Sequence, residues 1–263
     1  MRTMVSALHF EWNSIDHCAD RVVREFGLQG VELSFHESFA RPHCTLEDLD
    51  RLTPVREEYG ITLAAHLWEN LAQLGPETAS ERLVRWLDVC VRHKVEGLVI
   101  HGGTYPDQSE GIARTVAALR KALPGFEKHH VVLNLENHYA YAYRNCQELF
   151  SEPWEFLEVL PVIDSPSLRF CFDTGHGNMT RNSTELIRGL GPYLSHVHLA
   201  DNHGVDDDHV PYRTGTTDWD SVFDLLGRIG FDGTFCVEFP VRDDTAPFEA
   251  CLRDIRARWP QGG

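Results

Sequence analysis

Short apolar runs recur along the chain at nearly even spacing, separated by longer stretches whose apolar residues repeat every three to four positions. The runs at residues 5–10, 30–35, 61–66, 97–101, 130–136, 169–173, 194–199 and 233–239 read as buried strands. The stretches at 14–26, 45–59, 77–93, 109–123, 146–160, 184–190, 221–229 and 248–258 read as helices. Local punctuation supports several of them. Gly27 stands where a C′ glycine closes the first helix, and Gly60 does the same for the second. Thr45 with Asp48 resembles an N-cap with an acid at N3. Leu83, Val84, Leu87 and Val91 make one apolar helix face. Eight strand–helix units imply a parallel sheet covered by helices. Eight in this length predict an α/β fold, a (β/α)8 barrel, spanning residues 1–263 as one domain. A doubly wound sheet is the runner-up. Its dinucleotide-binding version is weakened because no G-x-G-x-x-G follows the first strand.

Composition narrows the function classes. The chain is 42% hydrophobic and 24% charged, which is ordinary for a globular protein with a sizeable core. No window approaches the ~18 uninterrupted apolar residues of a membrane span, and the N-terminal residues lack the apolar core of a signal peptide. Net charge is −16, with 40 acids against 24 lysines and arginines, which speaks against a nucleic-acid partner. The seven cysteines include no C-x-x-C pair. Cys90, Cys171 and Cys236 fall inside predicted elements as reduced small hydrophobes, so the expected location is cytoplasmic. The 15 histidines are the unusual entry in the composition.

In a (β/α)8 barrel, chemistry sits where strands end. Here those ends carry His66, His101, Glu136, Asp173 with His176, His198 and Glu238, on strands three to eight. The loop after strand seven adds Asp207 and His209. Taken singly, each has an ordinary structural explanation: a hydrogen-bonded histidine, a capping acid, a tight glycine turn after Asp173. Taken together they crowd carboxylates and imidazoles at one mouth, and no strand in this set ends in Lys or Arg. Like charges at such range are unfavourable without a counter-ion. A divalent cation is the simplest answer, and this donor mixture suits Mn²⁺, Co²⁺, Zn²⁺ or Fe²⁺ better than Ca²⁺.

Five segments carry a resemblance: Gly30-Val31-Glu32-Leu33, Leu133-Asn134-Leu135-Glu136-Asn137, Phe172-Asp173-Thr174-Gly175-His176, His196-Val197-His198-Leu199-Ala200-Asp201, and Val237-Glu238-Phe239. Together they span nearly the whole chain. It resembles the sugar phosphate isomerase/epimerase superfamily with its xylose isomerase-like TIM barrel, which also contains endonuclease IV. The resemblance implies one divalent metal held by Glu136, Asp173, His198 and Glu238. It implies an isomerase or epimerase acting on a ketose, keto-inositol or related polyhydroxy carbonyl compound by enediolate proton transfer. Glu136 and Glu238 would exchange the proton as acid and base, and His176 would bind a substrate oxygen. Trp12 and Trp68, just past strands one and three, are candidate walls for the substrate.

Two departures separate the chain from the ketohexose 3-epimerases. The arginine that ketohexose 3-epimerases carry six residues after the metal-binding histidine is Gly204 here. Their second glutamate, six residues after the strand-five glutamate, is Ala142. A dehydratase on the same scaffold fits nearly as well. An endonuclease IV-like phosphodiesterase with more than one zinc finds a candidate for each ligand once His66, His101, His176, Asp207 and His209 are included, so those five read as substrate-binding or second-metal residues. The net charge disfavours that alternative, because phosphate repulsion needs a basic groove. A non-catalytic sugar-binding barrel ranks lowest. Dimers are common in the superfamily, so the resemblance allows a homodimer.

Overall fold

A computed structural model describes residues 1–9, 15–36 and 43–260. Eight parallel strands close into a barrel: β1 (Arg2–Ser6), β2 (Gly30–His36), β3 (Thr62–Trp68), β4 (Val95–Ile100), β5 (Val132–Glu136), β6 (Leu168–Asp173), β7 (Leu194–Leu199) and β8 (Thr234–Val237). Each strand pairs with its neighbours in sequence, and β8 closes onto β1 from Arg2↔Thr234 to Val5↔Val237. The predicted (β/α)8 barrel is therefore the fold.

Side-chain alternation along the strands divides the interior in two. Outward residues such as Val31, Leu33, Leu63, Leu133, Phe170, Phe172, Val197 and Phe235 enter one large apolar core under the helices. Barrel interiors are normally packed with branched aliphatic side chains. Here the inward set holds only a small apolar cluster of its own, Met4, Ala64 and Cys236. The alternating inward positions Glu32, Ser34, His66, Asn134, Glu136, Asp173, His196 and His198 are polar and buried. The runs read as apolar because their outward faces are.

The elements follow the predicted order, with these main differences. The first strand ends at Ser6, where His9 N–H donates to Ser6 O at 3.2 Å in a turn; its predicted end at Phe10 lies outside the described residues. The helix predicted to stop at residue 123 runs Gln108–His129 through Pro124. Ala118, Leu119, Ala122, Leu123 and Phe126 bury a continuous stripe across the proline, and that packing outweighs one missing hydrogen bond. The helix predicted at 146–160 is mostly absent. A small antiparallel sheet of Thr104–Tyr105, Cys146–Glu148 and Ala142–Tyr143 stands there, followed by short helices Pro153–Leu157 and Leu160–Ile163. Arg144 and Asn145, at φ 49° and 64°, form a two-residue hairpin loop of left-handed residues. Turn chemistry thus overrode the apolar spacing. No described helix is long and apolar enough to cross a membrane.

Candidate metal centre

The carboxyl ends of β3 to β8 bring the predicted residues to one place. Glu136 ends β5, Asp173 ends β6, His198 lies on β7, and Glu238 follows β8. All four are buried, and one ligand atom from each lies within 4.8 Å of the others. His198 Nδ1 is the pivot, 2.8 Å from Glu136 Oε1 and 3.0 Å from Glu238 Oε2. The donor set fits a divalent cation on two further grounds. Asp173 Oδ2 and Glu238 Oε1 are buried without a hydrogen-bond partner. No lysine or arginine among the described residues is paired with Glu136, Asp173 or Glu238.

Asp173 is held by its backbone and its neighbours. Its Oδ1 accepts from the His176 amide at 2.7 Å and so caps the helix Thr174–Thr180. Asn137 accepts from the Asp173 amide at 2.8 Å. Gly175 is required there, since a Cβ would lie 2.9 Å from Asn202 Nδ2 and 3.1 Å from the Ala200 Cβ. Burial, reinforced by Glu136 and Glu238, pushes the Asp173 carboxyl up to about 6. Glu136 shifts the other way. Burial alone would raise it, but the surrounding His198, His66 and His101 hold it well below the usual carboxylate range.

The remaining predicted residues sort into two groups. His66 and His101 join Glu136: their Nε2 atoms lie 3.0 and 2.8 Å from Glu136 Oε2, and 2.9 Å from each other. His176, Asp207 and His209 form a chain at the rim. His176 Nε2 is 3.3 Å from Asp207 Oδ2, and His209 Nε2 is 3.2 Å from Asp207 Oδ1. Among the described residues, the groups that close to within 4.8 Å include His66, His101, Glu136, Asp173, His198 and Glu238, but not His176, Asp207 or His209. Burial alone would lower His176, yet Asp173 and Asp207 raise it well above the ordinary histidine range.

Trp68 ends β3, with its ring centroid 5.5 Å from those of His66 and His101. It lines a cavity of about 610 Å³ together with Asn70, His101, His138, Tyr141 and Glu148. Trp12 lies outside the described residues.

Three residues at or near this site escaped the sequence reading. Glu32 sits mid-strand on β2, and only strict inward–outward alternation could have flagged it. His138 stacks toward His176 at 4.5 Å between ring centroids, one residue beyond Asn137 and off any predicted strand end. Glu148 reaches the cavity from the hairpin that replaced a predicted helix.

A family model for the xylose isomerase-like TIM barrel matches residues 21–258. The chain belongs to the xylose isomerase-like TIM barrel family. A curated relative, an uncharacterised protein of Methanocaldococcus jannaschii, is 27% identical over 209 residues, covering 73% of this chain and 69% of its own. Among solved structures, a D-tagatose 3-epimerase-like protein superposes with TM-score 0.81 at 23% identity, covering 98% of both chains. D-psicose 3-epimerase from Clostridium cellulolyticum H10 has TM-score 0.74 at 20% identity, covering 92% of this chain and 86% of its own. 3-Keto-D-glucoside 4-epimerase from E. coli has TM-score 0.74 at 16% identity, covering 99% and 100%. At these identities the likeness to xylose isomerase-like barrels is one of fold.

Proposed function

We propose that the protein is a divalent-metal-dependent isomerase or epimerase of a ketose, keto-inositol or related polyhydroxy carbonyl compound. The observation that carries this reading is the placement of Glu136 and Glu238. They come from strands three apart in the barrel and face the same His198 nitrogen from 2.8 and 3.0 Å. Two carboxylates on either side of one centre can take a proton from one face of a carbon and return one to the other. Asp173 and His198 complete a four-residue donor set for Mn²⁺, Co²⁺, Zn²⁺ or Fe²⁺. The ion supplies Lewis acidity, which lowers the cost of negative charge developing on a substrate oxygen. His176 orients the substrate from the rim, and Trp68 offers an apolar wall. His66 and His101 hold Glu136 in place through its second oxygen. The two epimerase structures and the epimerase-like protein named above favour sugar chemistry over the other reactions this fold hosts, by analogy of fold.

The phosphodiesterase alternative rests on the His66–His101–Glu136 group as a second metal position. Two observations favour the isomerase over it. His176, Asp207 and His209 pair with one another and do not share a ligand point. Arg213, on the loop after β7, is committed to Asp220 at 2.7 Å and Asp254 at 3.1 Å.

The test is solvent-deuterium exchange into ketoses, keto-inositols and 3-keto-glucosides, with Mn²⁺ or Co²⁺ added. Deuterium at the carbon beside the carbonyl supports the proposal. No exchange with any of them refutes it, and cleavage of abasic DNA with three zinc ions per chain installs the alternative.

A further inference from the structure

Glu32 lies on β2 opposite Ala64, two residues before the His66 level, and so faces the barrel axis one step deeper than the metal centre. Its carboxylate is fully buried. The layer around it contains Met4, Ala64 and Cys236, which form a small apolar cluster. An acid in such a layer is costly unless something uses it. No lysine or arginine among the described residues is paired with it; three imidazoles approach instead. Glu32 Oε1 is 3.0 Å from His198 Nε2, Oε2 is 3.2 Å from His196 Nε2, and His66 Nδ1 is 3.9 Å away. Neither Glu32 oxygen has a hydrogen-bond partner, so the carboxylate is not committed to another structural role.

The two nitrogens of His198 therefore face opposite carboxylates. Nε2 looks down at Glu32, while Nδ1 looks up at Glu136 and Glu238. A neutral imidazole has one N–H and one lone pair, and a carboxylate can only accept. An ion bound at Nδ1 would take that lone pair in place of the contact to Glu136 and leave the N–H on Nε2, where Glu32 Oε1 at 3.0 Å can accept it. We infer that Glu32 is the positioning residue of the metal centre: it draws the N–H of His198 to Nε2 and leaves the Nδ1 lone pair for the ion. This rests on the metal centre proposed above. A carboxylate behind a ligating imidazole fixes ring orientation and raises ligand basicity, and losing one typically costs 10–100-fold in metal affinity. His196, on the other oxygen of Glu32, keeps the carboxylate from turning away.

The competing assignment is a separate cation at Glu32, His196, His198 and Cys236, whose ligand atoms also lie within 4.8 Å of one another. It would take His198 Nε2 while Nδ1 serves the upper centre, stripping both hydrogens from one ring.

Two measurements on the full chain decide. The first is calorimetric titration of Zn²⁺ into the wild type and Glu32→Gln. The expected result is one ion per chain and a 10–100-fold weaker Kd in the variant. The second is ¹⁵N NMR of the histidine rings in the zinc-loaded wild type, which needs no variant to fold. His198 is expected to show a protonated Nε2 and a metal-bound Nδ1, a signature that a purely packing role for Glu32 does not set. Unchanged affinity in Glu32→Gln overturns the inference, as does a metal-bound Nε2. Two ions per chain, one lost in Glu32→Gln, overturn it in favour of the deeper site. A wild type that takes up no divalent ion overturns the proposed metal centre and this inference with it, and a metal-bound Nε2 overturns the ligand atom assigned to that centre; the other two outcomes leave the centre standing.

Discussion

Asp207 Oδ2 lies 3.3 Å from His176 Nε2, so the loop after β7 is tied to the helix after β6 across the rim of the barrel. On its other side Asp207 Oδ1 is 3.2 Å from His209 Nε2, and His209 Nδ1 contacts the carbonyl of Glu238. Asp207 thus couples the rim histidine to the backbone of a proposed acid/base residue without joining the donor set. Its replacement should disturb substrate placement more than metal binding. Asp207→Ala is expected to raise KM about 10-fold or more with Zn²⁺ affinity within about 3-fold of wild type. Parallel steady-state kinetics and metal titration check this, and a metal affinity that collapses with KM would place Asp207 among the ligands.

Glu136→Gln and Glu238→Gln each remove one partner from proton exchange. General acid–base groups contribute roughly 10²–10⁴-fold, so each variant is expected to lose at least about 100-fold in kcat. The variants should differ from each other in deuterium wash-in. An enzyme with a base on each face retains exchange from the face whose glutamate survives. Equal loss of exchange and turnover in both would argue for a single base.

Three buried carboxylates at one centre repel one another when no cation is present. Chelation should therefore abolish activity and lower the melting temperature, and adding Mn²⁺ or Co²⁺ should reverse both. An ion that binds only the folded chain stabilises it by about 2.7 kcal/mol at one hundred times its Kd. Calorimetric melts across an ion titration should show this rise, and Asp173→Asn should abolish it. A melting temperature indifferent to the ion would contradict the metal centre.

Glu148 offers a prediction of opposite sign to a paired acid. Burial raises its carboxyl from an ordinary value of 4.5 to about 7. A raised acid favours the folded chain in its protonated form. The ionised form costs stability as pH rises from 4.5 and carries the full cost above about 7. At ~1.4 kcal/mol per pH unit the cost is on the order of 3 kcal/mol. Glu148→Gln should therefore raise the melting temperature by roughly 5–7 °C at pH 8 and by only about 1–2 °C at pH 5. Glu148 also lines the cavity beside Trp68, so a gain in stability paired with a loss in kcat/KM would mark it as a substrate contact. No difference between the two pH values would show that its carboxylate is stabilised by something else.

The barrel was readable from local pattern because each unit is a local object. An outward apolar face, a glycine stop and an amphipathic helix are written within about thirty residues of one another. His66, His101, Glu136, Asp173, His198 and Glu238 were readable for a related reason. Parallel strands in a closed barrel all end on one rim, so knowing the strand ends is enough to gather these residues. The helix expected at 146–160 gave way where two local signals conflicted. Apolar spacing suggested a helix, while Arg144 and Asn145 could take the left-handed turn that made a hairpin.

What the sequence determined by itself was the order of the strand–helix units, the family and the residue types at the barrel mouth, because these depend on neighbours along the chain. Only the tertiary structure decided which atoms meet: that His198 turns Nδ1 toward Glu136 and Glu238 and Nε2 toward Glu32, that Asp207 links His176 with His209, and that Glu148 arrives from a hairpin. Those contacts join strands and loops up to 166 residues apart (Glu32 to His198 most of all). Barrel closure and strand register set their distances, and neither is written in any local stretch of the chain.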